Sequence, residues 1–178
     1  RVHFKDIGHP KELRDTVYEN TQARERTQIL MDIANQNNGF VIGTSDLSEI
    51  ALGWSTYNGD HISMYGVNSG VPKTLVKYLV QWIADNKTDS ALRTILLDII
   101  STPVSPELLP SGENEEIEQR TEDVVGPYEL HDFFLYHFIR YGATPQGILD
   151  MAILAFAGSY DETIIGHWLS VFIRRFFA

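Results

Sequence analysis

An α/β fold with parallel strands and a helix-rich C-terminal part is what this sequence predicts, on three observations. Phe40-Val41-Ile42 is a short apolar run bounded by glycines, the pattern of a buried parallel strand. That run stops at Thr44-Ser45 and leads straight into a helix start, Asp46 followed three residues later by Glu49. From Tyr128 onward, three aromatic-rich helical patterns follow one another, punctuated by Gly142 with Thr144-Pro145 and by Gly158 with Asp161.

Taken in order, Glu19 to Asn38 reads as a helix. Ile29, Leu30, Ile33 and Ala34 form its apolar stripe, and Gly39 is placed to end it with a positive φ. Asn20, Arg24 and Gln28 recur at four-residue steps, giving one polar edge that lies either along a ligand or in solvent. After the strand, Thr44 and Ser45 stand where open α/β sheets bind ligands, at a strand's carboxyl end. Pro72 is read as a first helical residue, with Leu75, Val76, Leu79, Val80 and Ile83 as the apolar face of a helix running to Asn86. Ser90 is read as the cap of a second apolar helix through Ile100.

Thr102 to Pro110 carries three prolines and is expected to be extended or turn-like. Gly112 to Glu122 is acid-rich and almost without apolar residues, which reads as an exposed loop rather than a metal site. The three helices that follow span Tyr128 to Tyr141, Pro145 to Phe156 and Glu162 to Phe177. Residues 1–126 and 127–178 are accordingly expected to be the body of one domain and its helical extension.

Composition narrows the function. At 178 residues with 43% apolar content the chain has the makings of one core. A formal charge of −10 without clusters of Lys and Arg argues against a nucleic-acid surface. Any anion site must then be local, built from helix N-termini and cations such as Arg24 and Lys73. No apolar run approaches the roughly 18 residues of a membrane span. The absence of cysteine excludes disulfides and Cys-zinc sites. His131 and His137 are six residues apart, off the spacing by which one helix face binds a metal, and read as packed or surface residues.

The run Gly43 to His61, GTSDLSEIALGWSTYNGDH, is the richest segment. With Tyr18-Glu19-Asn20-Thr21-Gln22-Ala23-Arg24-Glu25-Arg26 before it and Val71-Pro72-Lys73-Thr74 after it, it resembles the synthetase domain of glutamine-dependent NAD synthetases. The likeness continues through Thr102-Pro103-Val104-Ser105-Pro106-Glu107-Leu108, Gly126-Pro127-Tyr128-Glu129-Leu130-His131-Asp132-Phe133-Phe134 and Arg174-Arg175-Phe176-Phe177. It implies a partial three-layer fold of the ATP pyrophosphatase type. The implied activity is ATP-dependent amidation of deamido-NAD: the nicotinic carboxylate is adenylylated, and ammonia then displaces AMP. The implied cofactors are ATP and Mg²⁺.

Carried over residue by residue, the resemblance assigns ATP contacts to Thr44, Lys73 and Ser105. It assigns deamido-NAD contacts to Asn20, Arg24, Glu49, Trp54, Ser55, Thr56 and Tyr57, with Glu49 also the candidate Mg²⁺ ligand. The chemistry suits these roles: Trp54 and Tyr57 offer flat faces to a ring, Arg24 a forked donor and Lys73 a point charge for phosphates. Ammonia-dependent relatives carry a lysine where Tyr57 stands and a Gly-Asp-Gly-Gly-Ala-Asp run, whereas this chain reads Asn58-Gly59-Asp60-His61-Ile62-Ser63-Met64. That departure points to the glutamine-dependent subgroup, and no ligand contact carries over to Met64.

The family's Ser-Gly-Gly-x-Asp-Ser pyrophosphate loop is expected upstream of Arg1, and a basic tail after Phe177. The start Arg1-Val2-His3-Phe4-Lys5 reads as a piece of something longer, inactive in isolation. Ammonia is expected from a glutaminase domain of the parent polypeptide, whose nucleophile is a cysteine this chain lacks. A cytoplasmic homo-oligomer completes the expectation. The rival readings are another ATP pyrophosphatase, such as a GMP or asparagine synthetase, and a non-catalytic interaction module built on the aromatic helices.

Overall fold

The computed structural model describes residues 2–10, 12–59, 61–102 and 121–178. In chain order the elements are α1 (Val2–Asp6), α2 (Thr16–Gln36), β1 (Ile42–Gly43), α3 (Leu47–Leu52), β2 (Tyr65–Gly66), α4 (Lys73–Asn86), α5 (Ser90–Ser101), α6 (Thr121–Val125), α7 (Tyr128–Tyr141), α8 (Pro145–Ala155) and α9 (Glu162–Phe176). The two strands pair in parallel, Ile42 opposite Tyr65 and Gly43 opposite Gly66. Helices α7, α8 and α9 pack mutually, α3 rests on α7 and α9, and α4 bridges α5 to α7. Among the described residues no helix is long and apolar enough to cross a membrane.

The aromatic helices make the core because their 3.6-residue periodicity points large side chains inward from three sides. Leu130 and Phe134 of α7, Ile148 of α8, and Ile165 and Phe172 of α9 are fully buried, with Leu52 from α3 and Val125 from α6 sealing one end. Each such side chain contributes about 1.5–3 kcal/mol of burial. Tilted and edge-on ring pairs join the helices, Phe134 to Phe172 at 5.9 Å and Phe133 to Phe156 at 5.3 Å between centroids. The helix bounds agree with the sequence: α7 ends at a left-handed Gly142, α8 opens with Thr144 accepting from Gly147 N–H, and Asp161 stands before α9.

Elsewhere the structure corrects the reading. α2 begins earlier, where Asp15 accepts from the Val17 and Tyr18 N–H groups. Its left-handed stop is Asn38 at φ 51°, not Gly39. Asn38 N–H donates to Asn35 O and Gly39 N–H to Ala34 O, a Schellman closure for which Asn serves because its short polar side chain tolerates that backbone. Of the expected apolar stripe only Ala34 is buried, while Ile29, Leu30 and Ile33 are exposed.

The expected buried strand is also different. β1 is Ile42–Gly43, and Phe40 and Ile42 are 60% and 56% exposed, because only β2 flanks it among the described residues. The cap of α5 is Asp89, which accepts from Leu92 N–H, so Ser90 is its first helical residue. Pro72 is the residue before α4 rather than its first. The prolines and most of the acid-rich stretch lie outside the described residues. Of its last two members, Thr121 opens α6 and is buried, and Glu122 accepts from Tyr128 N–H at 3.0 Å.

Candidate functional site

β1 stops at Gly43, Thr44 and Ser45 follow, and Asp46 caps α3. The cap is reciprocal: Asp46 Oδ1 accepts from Glu49 N–H at 2.9 Å, and Glu49 Oε2 accepts from Asp46 N–H at 3.4 Å. This box fixes both carboxylates at the start of one helix, with one oxygen of each facing α4. Lys73 Nζ lies between those oxygens, 2.7 Å from Asp46 Oδ2 and 2.8 Å from Glu49 Oε1. Below the ammonium group is the Tyr128 ring, whose centroid is 5.1 Å away.

The charges here are strongly coupled to their surroundings. Burial opposes the charge on Lys73, but its hydrogen bonds to Asp46 and Glu49 and the attraction of both carboxylates prevail, so its pKa stands above the ordinary 10.5. Tyr128 is driven well above its usual range, first by burial and then by the negative charges of Glu49 and Asp46. Its hydroxyl is buried without a hydrogen-bond partner among the described residues. Asp46 is only 5% exposed, so Lys73 leaves it only if another cation or donor takes its place.

A second group forms between α2 and the loop after α3. Thr56 Oγ1 donates to Asn20 Oδ1 at 3.1 Å, and His61 Nδ1 donates to Thr56 O at 2.7 Å. Arg24, one helical turn beyond Asn20, is exposed, as are Ser55 and Tyr57. Trp54 behaves differently: it is half-buried against the helical core, and the Arg175 guanidinium of α9 sits 5.3 Å over its ring. Arg175 Nη1 also donates to Leu52 O at 3.4 Å.

Of the residues expected from the sequence, the structure thus brings Glu49 to Lys73 and Asn20 to Thr56. Thr44 is exposed just past β1, and Met64 lies exposed in the loop before β2. Ser105 lies outside the described residues. Sequence reasoning missed Asp132, Ser48 and Thr74. Asp132 Oδ2 accepts from Thr74 N–H at 2.9 Å and from Thr74 Oγ1 at 2.7 Å, while its Oδ1 accepts from Ser48 Oγ. The signal was present: Asp132 is an acid set in the run Leu130-His131 and Phe133-Phe134.

The donor set does not fit a resident magnesium ion. Glu49 spends one oxygen on Lys73 and the other on the Asp46 N–H, and among the described residues no three acids or histidines gather as a metal site. What the arrangement offers is one ammonium group between two carboxylates at the carboxyl end of a parallel strand, with an exposed tyrosine on the loop after α3 and an exposed arginine on α2.

A parallel strand pair running into a capped helix and backed by a helical bundle is a piece of an α/β fold. The chain belongs to the NAD synthase family, whose model matches residues 2–156. Similar curated proteins include the glutamine-dependent NAD(+) synthetase of Mycobacterium tuberculosis, 40% identical with all of this chain covered, and that of Mycobacterium leprae, 41% identical with 98% covered. The chain spans 29% of the length of each.

Among solved structures, a glutamine-dependent NAD(+) synthetase from Cytophaga hutchinsonii superposes with a TM-score of 0.64 at 21% identity, over 98% of this chain and 26% of that one. NMN synthetase from Francisella tularensis superposes at 0.51 and 21%, over 98% of this chain and 59% of that one. The fold is therefore the α/β fold of those structures over nearly the whole of this chain.

Proposed function

We propose that this chain is the later part of the synthetase domain of a glutamine-dependent NAD synthetase and that it handles ATP and deamido-NAD. The observation that carries the reading is the Asp46–Glu49–Lys73 cluster at the carboxyl end of β1, where an α/β sheet receives its ligand. Family membership and the similarity to glutamine-dependent NAD(+) synthetases support it.

In this reading Thr44, Lys73 and Ser105 face ATP, and Asn20, Arg24, Glu49, Trp54, Ser55, Thr56 and Tyr57 face deamido-NAD. An oxygen of the nicotinic carboxylate attacks the α-phosphorus of ATP, and pyrophosphate leaves. Ammonia then attacks the acyl carbon, and AMP departs with the electron pair of the broken C–O bond. ATP arrives as its magnesium complex, so the metal belongs to the substrate. Lys73 exchanges its bond to Glu49 for one to a phosphate oxygen, which frees Glu49 to accept a hydrogen bond from deamido-NAD. Asp46 keeps Lys73 partnered throughout, which limits the cost of that exchange.

Ammonia comes from glutamine hydrolysed in a glutaminase domain of the parent polypeptide. The exposed apolar residues of α4 and α5, Tyr78, Trp82 and Ile95 among them, suit contacts with the rest of that polypeptide and with a second copy in a cytoplasmic oligomer. The test is Glu49→Gln in the full-length protein, assayed with saturating ammonia so that the glutaminase is bypassed. NAD formation should fall by about tenfold or more, the loss of one charged contact to a ligand, while glutamine hydrolysis persists. An unchanged amidation rate overturns the assignment.

A further inference from the structure

Helix α4 starts without a cap of its own. Pro72 occupies that position and has no side-chain acceptor, yet the first N–H groups of a helix need partners. They come from two other helices. Lys73 N–H donates to Ser48 Oγ on α3 at 2.8 Å, and Thr74 N–H donates to Asp132 Oδ2 on α7 at 2.9 Å. The Thr74 hydroxyl donates to the same oxygen at 2.7 Å. The Ser48 hydroxyl, having accepted from Lys73, spends its one proton on Asp132 Oδ1.

A single carboxylate from α7 therefore accepts three hydrogen bonds from residues 58 and 84 positions away. Asp132 is 8% exposed and Ser48 1%, so the network is shielded from water. Burying a carboxylate is costly unless such bonds and the positive end of a helix offset it, and here both are supplied. The order of the chain matters. Asp132 fixes the Ser48 hydroxyl, Ser48 fixes the Lys73 backbone, and the Lys73 side chain reaches Asp46 and Glu49. Tyr128, one turn earlier on α7, floors the same seat.

We propose that Asp132 is the positioning residue for Lys73: it clamps the start of α4 to α3 so that the lysine ammonium group is delivered to the Asp46–Glu49 pair from one fixed backbone position. On the ATP-binding reading above, the same clamp sets where that ammonium group meets a phosphate. Asparagine at position 132 cannot replace it, because one amide edge is a donor and leaves either Ser48 or Thr74 without an acceptor. Nothing in the chemistry requires Asp132 to touch a substrate.

The experiment is acylation of lysines by acetic anhydride in the full-length protein. Lys73 is ratioed to Lys77, an exposed lysine one turn further along α4. Asp132→Asn and Ser48→Ala should each raise the Lys73 to Lys77 ratio about threefold or more, and raise KM for ATP about fivefold with KM for deamido-NAD unchanged. If the variants only melt at lower temperature while the ratio keeps its wild-type value, Asp132 merely stabilises and the proposal is wrong. If Asp132→Asn does not fold, Ser48→Ala decides alone, since it keeps the carboxylate and removes only the relay hydroxyl. Labelling needs no turnover: a raised ratio in a protein whose wild type makes no NAD would uphold the clamp and sink the functional reading instead.

Discussion

Gly126 joins α6 to α7 at φ 100°, a conformation beyond the left-handed well that L residues tolerate. A Cβ there would lie 2.4 Å from Trp168 Cε3, 2.6 Å from Trp168 Cδ2 and 2.8 Å from His131 Nε2. Three costs follow for Gly126→Ala. The backbone strain is about 1–2 kcal/mol, and the overpacking against a tryptophan edge adds about 1–3 kcal/mol. Pushing the imidazole off Val125 O, which its Nε2 reaches at 2.6 Å, forfeits about 1 kcal/mol more. A loss of about 3 kcal/mol is the low side of that sum and corresponds to roughly a hundredfold change in an opening equilibrium.

Hydrogen exchange read by mass spectrometry is the right assay, because it reports the stability of a segment inside a larger protein. Amide protection in α7 and α9 should fall by about a hundredfold at that cost. Gly142→Ala is the internal control. It also sits in left-handed backbone, at φ 61°, but its Cβ would meet nothing within 4 Å, so only about 1 kcal/mol of strain is expected. Equal losses of protection in the two variants would refute the steric reasoning and leave backbone strain as the whole effect.

His131 is buried, gives its Nε2 proton to Val125 O and has no partner for Nδ1 among the described residues, and burial outweighs its carbonyl bond and the pull of Asp132 to hold its pKa below the ordinary 6.5. The unfolded chain then binds the extra proton first, so protection of the helical bundle should be full above pH 6.5 and decline as pH falls through the folded value; an imidazole that titrates by NMR at or above 6.5 would contradict this. Tyr57 is 78% exposed while Trp54 is half-buried with Arg175 over its ring, so Tyr57 is the more open stacking face. Calorimetry on the full-length protein should show Tyr57→Ala with Arg24→Ala weakening deamido-NAD by about 1–3 kcal/mol per lost contact, as for base–aromatic stacking; undiminished affinity would remove both residues from the site.

The helical half was legible in the sequence because its signals are local. Stop and start residues such as Gly142, Thr144 and Asp161 act within one turn, and the apolar stripes of α7 to α9 carry their periodicity whatever packs on them. The Asp46–Glu49 capping box was legible for the same reason, being satisfied within four residues. Burial was not legible for α2 and β1. Ile29, Leu30, Phe40 and Ile42 have the pattern of buried residues, but a pattern names a face and says nothing of what covers it. Nor did the sequence show that Lys73 stands between two carboxylates, that Arg175 covers Trp54, or that the start of α4 is capped from α7. Those partners lie 24, 27, 58 and 121 positions apart along the chain. Hydrogen bonds and ion pairs at such separations exist only once packing has closed the intervening loops, so tertiary structure alone decided which charges neutralise one another.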